Sequence, residues 1–139
     1  MISRKSPAQR RYLVRLAVAM AIYLLSLFAA ERLIDHGGLD GPAAWIVALV
    51  PGFAVASVFV AIGRLVIEET DEFMRMLVVR QALVATGIAL SAATIYGFLE
   101  QYGLVAHIVA YWWGIIWFFG LGVGSVVNRL TLGSAGNCA

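Results

Sequence analysis

The chain has 139 residues, 62% of them apolar and 13% charged, with ten Lys and Arg against eight Asp and Glu. Soluble domains carry roughly 25% charge, and so short a chain places most of its residues at or near a surface, so this composition excludes a soluble globular enzyme. It also excludes a disordered chain, which needs low apolar content, and, with a single cysteine, a disulfide scaffold.

A helix needs about 20 mostly apolar residues to cross about 30 Å of hydrocarbon, and four runs meet that requirement. The first predicted span, 12–34, has an uncharged core from Leu16 to Ala30 and follows Arg4, Lys5, Arg10 and Arg11. Basic residues before an apolar run can also mark a cleaved signal. Here Phe28-Ala29-Ala30-Glu31 puts a bulky Phe where cleavage needs a small residue, so a retained anchor is expected. The second span, 43–67, carries Arg64 near its end and Pro51-Gly52 inside, a pair that predicts a kink.

The connection that follows, Arg64 to Arg80, gathers Glu68, Glu69, Asp71 and Glu72, half of the eight carboxylates, into five positions. Thr70 is placed to cap a helix whose first turn holds Asp71 and Glu72, where the positive dipole end favours anions. Arg64 and Glu68 are spaced i, i+4, as are Asp71 and Arg75, which favours local ion pairs. Phe73, Met76, Leu77 and Arg80 share one helical face, which predicts a short helix lying at the membrane surface. Glu68, Glu69, Asp71, Glu72 and Arg75 are then candidates for docking a basic cytoplasmic partner; the alternative is a solvated turn whose charges only fix topology.

The third span, 78–99, carries Ala85, Ala89, Ala93 and Gly97 as an unbroken i, i+4 stripe, continued by Gln81. In lipid, small residues at this spacing let helix backbones approach. The fourth span, 104–127, supplies Gly120 and Gly124 four apart, with Ser125 and Asn128 beyond; span two offers Gly52, Ala56, Ser57 and Ala61. These stripes are expected to face one another within one bundle, or to join two copies of the chain. The run Tyr111 to Phe119 is dense in aromatics; its first three reach an interface, while Trp117 to Phe119 face lipid, a helix or an apolar ligand.

Nine of the ten cations fall on one side of the four spans, which predicts cytoplasmic termini, Cys138 included. Glu31, Asp35, His36, Asp40, Glu100 and His107 then lie on the outer face. No ionisable residue sits at mid-span, where Thr86, Ser91, Thr94, Tyr96, Tyr23 and Ser26 are the polar groups. No metal-ligand spacing, nucleophile elbow, P-loop or dinucleotide fingerprint occurs, and nothing points to nucleic acid, so neither enzymatic activity nor a cofactor is expected. His107 suits a hydrogen bond to Glu100 better than a porphyrin or metal.

At Asp71-Glu72-Phe73-Met74-Arg75, followed by Arg80-Gln81-Ala82-Leu83, the chain resembles uncharacterised small four-span bacterial inner-membrane proteins with an acidic D-E-[aromatic]-x-R cytoplasmic loop. It is more loosely similar to small membrane proteins with a D-E-R loop, often encoded beside helix-turn-helix regulators. Phe73 stands where those carry Arg, and the second resemblance implies a regulatory role. Neither resemblance brings catalytic or binding residues with it.

The expectation is thus an all-α membrane protein, a single domain over 1–139. It has four transmembrane helices in an up-down bundle and a short interfacial helix between spans two and three. It is expected in the bacterial inner membrane as an accessory or regulatory subunit that meets the lipid bilayer, a cytoplasmic or membrane protein, or further copies of itself. The alternative is an oligomeric transporter or channel for a small neutral or apolar solute, shaped by Pro51-Gly52 and the span-four aromatics.

Overall fold

A computed structural model describes residues 6–135, so Arg4, Lys5 and Cys138 lie outside the described residues. Its helices are α1 (Pro7–Ala30), extended by a π-helical turn (Glu31–His36), α2 (Pro42–Glu68), α3 (Glu72–Gln101) and α4 (Tyr111–Leu132). All four are long and apolar enough to cross a membrane, an architecture compatible with a membrane protein. The described residues form two compact units, 6–69 and 70–135, each a pair of antiparallel helices.

In the first unit α1 starts on a reciprocal cap. The Ser6 hydroxyl accepts from the Gln9 amide at 3.2 Å and the Gln9 side chain accepts from the Ser6 amide at 3.3 Å, with Pro7 at the first helical position. The helix then widens out of α geometry into the π turn Glu31–His36 and turns through Gly38 and Gly41, both at positive φ, into α2. Helix α2 runs unbroken through Pro51. Its buried residues Ala54, Val58, Ala61 and Leu65 recur at three- and four-residue spacing, the stripe that a packed helix requires.

In the second unit Asp71, and not Thr70, caps α3: its Oδ1 accepts from the amides of Phe73 at 2.9 Å and Met74 at 3.3 Å. Two sequence expectations change here. No separate interfacial helix stands between α2 and α3 among the described residues. Arg64 to Glu68 belong to α2, and Glu72 onward is already α3, since no Gly or Pro interrupts the chain before Gly87. At 1.5 Å per residue, α3's 30 residues measure about 45 Å against about 30 Å of hydrocarbon, so its charged first turns reach past the apolar layer within the same helix. Leu77, expected on the membrane-surface face, is fully buried.

The fourth helix begins at Tyr111 rather than Leu104. Gly103 at positive φ ends α3, the Leu104 amide returns to the Leu99 carbonyl at 2.9 Å, and Tyr96 donates to the Ala106 carbonyl at 2.8 Å. The backbone groups that would start a helix at Leu104 are thereby held in a loop. His107 Nδ1 pairs with Glu100, as their spacing suggested.

Candidate functional site

Two constellations of polar and small residues stand out, one in each hairpin. In the first, the cap residue Ser6 donates to Glu69 Oε2 at 2.7 Å, tying the start of α1 to the end of α2. Glu69 is buried, and its amide closes α2 on the Leu65 carbonyl at 2.9 Å. Further along α1, Arg15 Nη2 donates to Glu68 Oε1 at 3.0 Å, and Arg11 Nη1 lies 3.6 Å from Glu68 Oε2. Charge-assisted bonds are the stronger kind, and these bridge more than fifty residues of sequence. Arg64, expected to pair with Glu68, makes no ion pair with it; Glu68 turns instead towards Arg15 and Arg11.

This assigns the five docking candidates to different tasks. Glu68 and Glu69 bond across to α1. Asp71 caps α3. Glu72, with its side chain 92% exposed, and Arg75, 3.9 Å from it at i, i+3, remain on the surface. No local run of sequence could have announced the Ser6 and Arg15 partners, because antiparallel packing alone brings them together.

The second constellation is a seam between α3 and α4. A Cβ placed on Gly120 would sit 2.8 Å from the Ala85 Cα, and one on Gly124 would sit 2.8 Å from the Gln81 carbonyl oxygen. At these two positions the backbones approach as closely as glycine permits. Three polar bonds flank the contact. Gln81 Nε2 donates to the Leu121 carbonyl at 2.8 Å, Asn128 Nδ2 to the Leu77 carbonyl at 2.9 Å, and Trp117 Nε1 to Thr86 Oγ1 at 3.0 Å.

The small-residue stripe is therefore used unevenly. Ala85 meets Gly120, Ala89 is buried and Ala93 is half-buried. Gly97 is exposed and has open space where its side chain would be. The late start of α4 explains this: with α4 antiparallel and absent before Tyr111, its first turn reaches only as far as Tyr96, whose ring lies 5.7 Å from that of Trp113. Asn128 was legible only as a polar neighbour of Gly124, yet it is fully buried, with Oδ1 unpartnered.

Among the described residues, no three His, Cys, Asp or Glu side chains converge in a metal-binding group. Comparison with known protein families, with curated proteins and with solved structures gives no match.

Proposed function

We propose that the chain is a four-span, up-down protein of the bacterial inner membrane with cytoplasmic termini. It acts as an accessory or regulatory subunit through contacts with other proteins, without catalysing a reaction. The observation that carries this reading is where the polar groups go. Glu68, Glu69, Gln81, Thr86 and Asn128 each bond across their own hairpin, so the groups best suited to act on a substrate are committed to joining helices. What the chain presents outward is apolar, including Leu25, Phe53, Phe119 and Leu130, and surface of that kind is covered by lipid or by another protein. Beside it stands the exposed Glu72 and Arg75 turn at the start of α3. The gathering of Arg10, Arg11, Arg15, Arg64, Arg75, Arg80 and Arg129 at one set of helix ends supports the orientation.

The test is purification of the tagged full chain from native membranes in mild detergent, beside a Glu72→Lys/Arg75→Glu charge swap. A protein retained by the wild type and lost by the folded swap variant is the expected result. Recovery of the wild type only as a multimer of itself, with solute flux in liposomes, overturns the proposal in favour of an oligomeric transporter or channel for a small neutral or apolar solute.

A further inference from the structure

Helices α1 and α2 leave an open groove of about 470 Å³ along the first hairpin. Val14, Val18, Ile22 and Val60 line it, with the buried Ala19 and Ala61 at its depth and Arg15 and Arg64 also on its wall. Seven residues separate Arg15 from Ile22 on α1, and seven separate Ser57 from Arg64 on α2. Because the helices are antiparallel, both guanidinium-bearing residues stand at one end and the apolar end lies about 10 Å away. That length is about two-thirds of one leaflet of a hydrocarbon layer about 30 Å thick. A second concavity of about 590 Å³, lined by Pro7, Arg10 and Arg11, shares Val14 and Arg15 with the first, so the cationic end continues outward along α1.

Among the described residues the cations at this end outnumber the carboxylates: four arginines, Arg10, Arg11, Arg15 and Arg64, against Glu68 and Glu69. Glu68 is taken by Arg15 and Arg11, and Glu69 accepts from Ser6. The guanidinium groups of Arg10 and Arg64 hold no hydrogen bond or ion pair among the described residues.

An apolar groove about two-thirds of a leaflet long, ending where Arg10 and Arg64 hold no ion pair among the described residues, matches one kind of occupant. We propose that it holds an acyl chain of an anionic glycerophospholipid, whose phosphate lies against Arg64 and the Arg10 to Arg15 face of α1. A wholly apolar transmembrane helix from another chain would cover the apolar wall but bring no counter-charge to the arginines. A zwitterionic lipid brings a phosphate whose charge its own ammonium offsets. Basic pockets between membrane helices are the established setting for such headgroup binding. The inference requires only that these helices lie in a bilayer; it is independent of the protein-partner reading above.

Native mass spectrometry of the full chain from mild detergent tests it, with dioleoylphosphatidylglycerol titrated against dioleoylphosphatidylcholine. Two variants leave the packing intact: Arg64→Gln, which breaks no bond among the described residues, and Val60→Trp, which fills the groove from a position 61% exposed. The wild type is expected to prefer phosphatidylglycerol. Arg64→Gln should lose about fivefold of that preference, the equivalent of about 1 kcal/mol for one cation near a membrane surface. Val60→Trp should weaken both lipids while helix content and melting stay unchanged. Equal affinity for the two lipids, a preference unaltered in Arg64→Gln, or a dimer that Val60→Trp dissociates would each overturn the proposal, the last by showing that a second copy fills the groove.

Discussion

Replacing Gly120 by alanine adds one methyl group at the closest approach of α3 and α4. That carbon would meet the Ala85 Cα at 2.8 Å, the Ala85 Cβ at 3.2 Å and the Ala85 carbonyl oxygen at 3.2 Å. The nearest of these is backbone, which no rotamer change can move, so the helices must part by several tenths of an ångström. Parting them there also stretches the flanking Trp117 to Thr86 and Gln81 to Leu121 bonds. Forced insertion of a methylene-sized group into a packed contact costs about 1–3 kcal/mol. Gly122 supplies the control: it lies on the same helix with open space around its missing side chain, where alanine gains about 0.5–1 kcal/mol from reduced backbone entropy. Equilibrium unfolding in mixed micelles titrated with sodium dodecyl sulfate, read by tryptophan emission, should therefore separate the two variants in opposite directions. Adding Ala85→Gly to Gly120→Ala should restore only part of the loss, since it removes the 3.2 Å Cβ contact and leaves the 2.8 Å one. Identical transitions for Gly120→Ala and Gly122→Ala would refute the close-contact argument.

Two further outcomes follow from the same geometry. Asp71→Ala should cost about 1 kcal/mol by leaving the Phe73 and Met74 amides without an acceptor, while Asp71→Ser keeps a cap; faster hydrogen exchange at those two amides in the alanine variant alone is the check. Asn128→Leu should cost under about 1 kcal/mol, because it removes the buried, unpartnered Oδ1 together with one interhelical bond of about 0.6 kcal/mol. Asn128→Asp, which buries a charge, should cost several times more in the same unfolding assay.

The four spans were legible because length and apolar content are properties of a run of sequence, and hydrocarbon thickness turns them directly into helices. Boundaries were less so. Span four was placed from Leu104 since Leu104 to Ala110 is as apolar as a helix start, yet Tyr96 and Glu100 reach across from α3 to hold that stretch as loop. The partners of the acidic run show the same limit: Glu68 and Glu69 sit beside Asp71 and Glu72 in sequence, and only the antiparallel return of α2 beside α1 brings Ser6 and Arg15 within bonding distance. In the seam, spacing located the small residues but could not tell how far along α3 they would find a neighbour, which depends on where α4 begins.

The seam also sets a compass bearing for the charged turn above it. Leu77 belongs to the buried line, and at 100° per residue Glu72 lies about 140° and Arg75 about 160° around the helix from it. Both therefore point away from α4, in keeping with the exposure of Glu72. Because α3 is continuous from Glu72 to Gln101, that direction is clamped by the α4 contact that begins at Leu77, little more than a turn from Glu72. Deleting one residue between Arg75 and Leu77 would leave the acidic motif intact in sequence and swing it by about 100° about the helix axis.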